Sequence, residues 1–332
     1  MTGAMRVLVT GAAGFLGSRV ITALLADSSP LPGVSHVVAA DTLPCPIQDP
    51  RVHSRTGTIL DPDYVRSIVE HDIDVVFHLA AVLSGQSEAD FEIGMRVNVD
   101  STRDVLEACR RLSRPPRFVF SSTVAIFGGD LPDVVPEDSV LQPRSSYGTA
   151  KAIAELLVSE YSRRGHIDGI SCRLATVAVR PGAPNSALSS FVSGIIREPL
   201  AGIDAICPVP LDTRLWVSSP RAVTQNLLHA AGVPAAALEG RLAVNLPGLC
   251  ATPLQMLASL ERAAGAATRA RVRTQIDPRI ARVVSTWPGA LDDSRARRLG
   301  FIGDRDVDQV VDQYVEDLTA RRSPNAPFKE TR

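Results

Sequence analysis

Tyr147 and Lys151 stand four residues apart, so on a helix they share one face, one turn from each other. A phenol with a pKa of ~10 is a poor base at neutral pH. An ammonium one turn away stabilises the phenolate and brings that pKa down. Upstream, Ser121-Ser122-Thr123 closes a short apolar run, Phe118 to Phe120, that reads as a buried fifth strand. A hydroxyl at a strand end can hydrogen-bond a reacting oxygen. Thr123, Tyr147 and Lys151 are therefore a candidate unit for taking the proton of a substrate hydroxyl, with Tyr147 as general base. The pair alone is unspecific, because Tyr-x-x-x-Lys also arises on solvated amphipathic helices. Its weight depends on what the rest of the chain places beside it.

Such a base needs a hydride acceptor, and residues 5–18 read as the site of one. Val7 to Val9 is a buried parallel strand, Gly11, Gly14 and Gly17 follow at three-residue spacing, and Arg19 to Ala26 has helical periodicity. Strand, glycine turn and helix in that order make a dinucleotide site. Gly11 permits the turn, Gly14 lets the backbone approach a pyrophosphate, and Gly17 lets the helix pack closely on the strand. Val34 to Ala40 is the second strand. Asp41 ends it, placed to bond a ribose 2′-hydroxyl and to repel a 2′-phosphate, which favours NAD over NADP. Its distance from Gly11 exceeds the usual ~20 residues, and the Ser28–Gly33 loop accounts for the excess.

After the third strand, Val52 to Gly57, Asp61 has two readings: contact with an adenine amine, or a cap for a helix starting at Pro62. Ile73 to His78 is the fourth strand. It runs into Leu79-Ala80-Ala81, small residues suited to backbone contact with a cofactor, and His78 reads as packed rather than catalytic. Glu88 to Arg111 reads as one long helix in which Asn98 is unfavourable unless it has a polar task. Pro132 to Ser146 is a loop, and Ile167 to Ala175 a sixth strand. This alternation predicts an α/β fold, a Rossmann doubly wound parallel sheet over residues 1–175 whose core also receives segments around 214–231. Residues 176–322 are then mainly a smaller mixed C-terminal substrate lobe over the carboxyl ends of the strands, and 323–332 a polar, disordered tail.

Composition excludes several classes. The chain has 332 residues, 45% of them hydrophobic, and a net charge of −1, which gives no electrostatic reason to expect nucleic acid or an anionic membrane. No apolar run reaches the roughly 18 residues of a membrane span, and the N-terminus lacks a signal-peptide core. Five scattered cysteines without a CxxC pair fit reduced thiols in a cytoplasmic protein better than a disulfide framework or a zinc site, and no metal site is expected.

Gly11-x-x-Gly14-x-x-Gly17, Asp41, Asp61, His78-Leu-Ala-Ala81, Asn98, Ser121-Ser-Thr123 and Tyr147-x-x-x-Lys151 together resemble the extended short-chain dehydrogenase/reductase superfamily. The resemblance implies that the glycine turn with Phe15 and Leu16, then Asp41, Leu60, Asp61, Leu79, Ala80, Ala81 and Asn98, hold NAD. Ser121, Leu174 and Thr176 complete that surface, together with the catalytic pair Tyr147 and Lys151. The family commonly has serine where Thr123 stands. Many members carry Val-Tyr-Gly where this chain has Ile126-Phe127-Gly128, so a tyrosine hydroxyl of many epimerases is absent.

The stretches Leu83–Phe91, Phe127–Pro132, Ser189–Pro199, Asp212–Arg221 and Val244–Gly248 narrow the resemblance to the D-erythronate dehydrogenase family. That implies oxidation of D-erythronate at C2 to 2-oxo-tetronate. A small carboxylate needs a cation, preferably a guanidinium. Arg214, ahead of Leu-Trp-Val, matches a substrate-facing arginine of the superfamily and is the first candidate, with Arg180 and Arg173 as rivals. Ser84, Gln86 and Asn185 are candidates for the polyol hydroxyls. The alternative within the superfamily is a nucleotide-sugar epimerase or dehydratase. The resemblance also implies a homodimer.

Overall fold

The computed structural model describes residues 4–182 and 187–322. Its strands are β1 (Met5–Thr10), β2 (Val34–Asp41), β3 (Val52–Thr56), β4 (Val75–His78), β5 (Arg117–Thr123), β6 (Asp168–Leu174), β7 (Thr176–Val177), β8 (Ala205–Cys207), β9 (Leu215–Ser218), β10 (Ala243–Asn245), β11 (Leu249–Ala251) and β12 (Val272–Thr274). Seven of them form one parallel sheet in the order β10-β6-β5-β4-β1-β2-β3. The order reverses between β1 and β4, the switch point at which such sheets leave a crevice for a ligand.

The inner strands are apolar on both faces because both faces are covered by helices. Val7, Val9, Phe77, Val119 and Ile170 point to one side, onto α1 (Phe15–Leu25) and, later in the chain, Val223 and Leu227 of Pro220–Gly232. Leu8, Val76, Phe118 and Phe120 point to the other, onto α2 (Pro62–Ile68) and the helices of residues 101–109 and 146–163. A third core cluster surrounds β9, which lies between β7 and β11 in a small mixed sheet; β8 pairs with β12 beside it. No helix among the described residues is long and apolar enough to cross a membrane.

Three elements differ from the sequence expectation. The segment 88–111 is not one helix. It comprises α3 (Ser84–Ala89), α4 (Phe91–Met95), a π-helical turn at Arg96–Asp100 and α5 (Ser101–Cys109). Asp90 breaks it by capping α4, its carboxylate accepting from the Ile93 N–H at 3.0 Å. Of the segment 214–231, only the helical part packs on the main sheet, while β9 belongs to the small one. The seventh strand of the main sheet is β10, three residues long and too short to carry a periodicity. The remaining helices used below are α6 (Ser146–Arg163), α7 (Ser190–Leu200) and α8 (Pro220–Gly232). The tail 323–332 lies outside the described residues.

Candidate active site

The β1–α1 turn has the shape a dinucleotide phosphate requires. Gly11 has φ +71°, and a Cβ on it would stand 2.8 Å from the Ala80 nitrogen. A Cβ on Gly17 would stand 2.1 Å from the Gly11 carbonyl oxygen, so helix and turn touch through backbone. Helix α1 follows Gly14, which offers no side-chain cap, and has no acidic residue in its first turn. Its positive end is thus left for an anion. Leu16 and Phe15 follow in that first turn, half-buried. Asp41 closes β2 beside the turn, one carboxylate oxygen accepting from Ala13 N–H at 3.0 Å and the other from Leu43 N–H at 3.2 Å. The residues present fit a dinucleotide.

Asp61 caps α2, accepting from Asp63 N–H at 2.9 Å, with Leu60 half-buried before it. Leu79, Ala80 and Ala81 emerge half-buried from β4. His78 is fully buried between the Thr10 and Thr102 hydroxyls, and burial pulls its imidazole down to about 3. It is a neutral structural residue. Asn98 is 1% exposed, and the π-turn aims its amide at Val82, accepting from the N–H at 2.9 Å and donating to the carbonyl at 3.0 Å. Its polar task is to hold the loop after β4.

Thr123 and Tyr147 are brought together by a close approach. Ser145, just before α6, caps the Gly148 N–H at 3.0 Å, and a Cβ on Gly148 would stand 2.1 Å from the Ala125 carbonyl oxygen. The start of α6 therefore rests against the turn that follows β5. One turn in, Lys151 is 2% exposed, its Nζ donating to the Ser121 carbonyl at 2.9 Å and lying 4.6 Å from the Phe120 ring centre and 5.9 Å from that of Tyr147. The Ser121 hydroxyl donates to the His78 carbonyl at 3.1 Å. Burial pushes the Tyr147 phenol up to about 12, against the opposing charge of Arg180. Burial also brings the Lys151 ammonium down to about 7, with Glu155 holding it up. Desolvation alone thus works against a tyrosine base, and nearby positive charge has to reverse it.

Beside these residues is a cavity of about 160 Å³, lined by Leu16, Ser84, Thr123, Tyr147, Leu174, Thr176 and Arg180, and on the lobe side by Leu188, Ser189 and Trp287. The pattern of the NAD dependent epimerase/dehydratase family matches residues 7–211.

The chain belongs to that family.

It is 48% identical to the D-erythronate dehydrogenase of Cupriavidus necator, over 94% of this chain and 98% of that one. It is 40% identical to the D-erythronate dehydrogenase of Haemophilus influenzae, over 94% and 99%. A solved nucleoside-diphosphate-sugar epimerase from Agrobacterium tumefaciens has the same fold, with a TM-score of 0.90 and 37% identity, covering 95% of this chain and 94% of that one. The expectations of an extended short-chain dehydrogenase/reductase, a doubly wound sheet and a nicotinamide-dependent dehydrogenase are borne out.

In this family member the candidate substrate residues divide. Arg214 does not line the cavity. It lies exposed, paired with the Asp133 carboxylate at 2.7 Å and the Asp133 carbonyl at 3.0 Å. Arg173 is buried and bound to Glu155 at 2.9 Å. Arg180 reaches the cavity. Its N–H donates to Ser193 Oγ at 3.0 Å and its carbonyl accepts from Arg197 at 2.9 Å, so α7 grips its backbone from both sides. Ser84 lines the cavity and accepts from Leu188 N–H at 3.2 Å, whereas Gln86 is exposed on α3 and does not line it. Asn185 lies outside the described residues. Sequence reasoning missed Trp287 and Leu188, which come from the lobe. The signal for Trp287 was its rarity, one of two tryptophans, placed just before Pro288-Gly289.

Proposed function

We propose that this chain oxidises D-erythronate at C2 to 2-oxo-tetronate, with NAD as the hydride acceptor. The observation that carries the reading is a cationic side chain, Arg180, in the same small cavity as the hydroxyls of Thr123 and Tyr147. The relatives named D-erythronate dehydrogenase, matched along nearly their whole length, support the substrate.

In this reading Arg180 holds the carboxylate through charge-assisted hydrogen bonds, and Ser84 serves a polyol hydroxyl. Thr123 orients the C2 hydroxyl. Tyr147 takes its proton as the C2 hydride leaves, and Lys151 stabilises the phenolate. When bound, oxidised NAD would supply the hydride acceptor and a positive charge near Tyr147. Asp41 supports NAD over NADP, because its carboxylate would repel a 2′-phosphate. Pairing of two copies is supported by Phe91 and Leu156, 65% and 67% exposed on the adjacent helices α4 and α6.

The Agrobacterium structure favours a second reading, a nucleotide-sugar epimerase. Phe127, where many such enzymes carry tyrosine, speaks against it. The discriminating experiment is NADH formation, followed by absorbance, with purified protein, NAD and a panel of four- to six-carbon sugar acids. A strong preference for D-erythronate is expected. Silence on every acid, with cofactor co-purifying and no net NADH, would transfer the assignment to the epimerase.

A further inference from the structure

Tyr147, Lys151 and Glu155 fall at i, i+4 and i+8 of α6, so the face that carries the candidate catalytic pair ends in a carboxylate. Glu155 is 5% exposed. It accepts a hydrogen bond from the Ser122 hydroxyl on β5, and from Arg173 on β6 through Nη2 at 2.9 Å and Nε at 3.1 Å. Arg173 stands opposite Ser122 in the β5–β6 register, and its other terminal nitrogen donates to the Glu137 carbonyl at 2.8 Å. One carboxylate thus ties the strand that bears Thr123 to the helix that bears Tyr147 and Lys151. The direct partners of Lys151, a carbonyl and a phenyl ring, carry no full charge.

The charged and titratable groups around Lys151 are few among the described residues. Tyr147 and Glu155 share its helix. His78 faces it from β4 as a neutral imidazole, Arg173 stands behind Glu155 on β6, and Arg180 faces Tyr147 from the loop after β7. Of these, Glu155 is the group that favours the ammonium. Composition adds a second observation. Of 35 lysines and arginines, only Lys151 and Lys329 are lysine. A chain that meets almost every need for positive charge with arginine keeps a compact, titratable ammonium at 151.

We propose that Glu155 is a positioning residue for the reaction: it supplies the counter-charge that keeps Lys151 an ammonium beside Tyr147 and fixes the Ser122–Thr123 end of β5, a role that rests on Tyr147 and Lys151 being the catalytic pair. Burial brings the Lys151 ammonium down to about 7, and the charge of Glu155 opposes that shift. Without that negative charge the proton leaves at lower pH, the cation beside Tyr147 is lost from neutral solution, and Tyr147 becomes a base only at higher pH.

The two lysines make the test direct. Protein labelled with [13C]lysine gives two side-chain resonances, assigned with Lys329→Arg. In Glu155→Gln, Lys151 titrates about one pH unit lower than in the parent protein. The ascending limb of kcat/KM moves up by about one unit, about tenfold in rate on that limb. Glu155→Asp keeps the charge and restores most of both. Glu155→Gln strands Arg173 in the interior, so Glu155→Gln/Arg173→Gln, which leaves two neutral amides, is measured beside it. An unmoved Lys151 titration in the variants that fold overturns the proposal. A Lys151 titration that moves while the pH profile stays fixed overturns instead the catalytic reading of the pair.

Discussion

At the end of β1 the candidate dinucleotide surface is Gly11, Gly14 and the start of α1, all within one turn of sequence. Across the cavity, Thr123, Tyr147, Arg180 and Trp287 come from four separate segments. The first surface is made of backbone, and its chemistry lies in the side chains it lacks. The second is made of side chains whose meeting depends on the packing of α6, α7 and the lobe. A glycine surface tolerates no addition, whereas a side-chain surface is lost one function at a time.

The largest expected effect tests the side-chain surface. Tyr147→Phe should lower turnover roughly 10²–10⁴-fold while NADH affinity, read by fluorescence titration, stays at the parent value. If affinity falls in parallel with turnover, the two surfaces are not separable.

Gly17→Ala tests the backbone surface. Its Cβ would enter the space of the Gly11 carbonyl oxygen, 2.1 Å away, so helix and turn must part. We expect a loss of about 1–3 kcal/mol in stability, read by thermal denaturation, and a weakened NADH affinity. Parent-like stability and affinity would show that the close approach is dispensable.

The arginines sharpen the substrate side. Arg180→Ala should raise KM for the sugar acid about 10–100-fold, the range of a hydrogen bond to a charged group, with NADH affinity little changed. Arg214→Ala removes an exposed pair with Asp133, and steady-state kinetics should show KM within about twofold of the parent. The reverse ranking would return the carboxylate to Arg214.

The same division explains what was legible in the sequence. The glycine turn, Asp41, the inner strands and the Tyr147/Lys151 face all follow from rules that act within a few residues. Arg214 does not, because its partner is Asp133, 81 positions away in the chain. Arg180 and Arg173 are two arginines of one segment, and only the tertiary partner separates them: Glu155 buries one, while α7 presents the other to the cavity. The break at Asp90 and the π-turn at Asn98 were concealed by good helical composition on both sides. Asn98 did announce a polar task, but not that Val82 would be its partner. Glu155 repeats the spacing of the candidate catalytic pair, and its meaning depends on the strand residues it meets, Ser122 and Arg173.

The central claim is that hydride leaves C2 of a small sugar acid while Tyr147 takes the hydroxyl proton. Incubating the enzyme with NAD and D-erythronate deuterated at C2, and following the label by mass spectrometry, tests it most directly. The account predicts deuterium in the reduced cofactor, a 2-oxo acid in equal amount, and a primary isotope effect on kcat/KM. Deuterium that stays on the acid, with no net reduced cofactor, would contradict it.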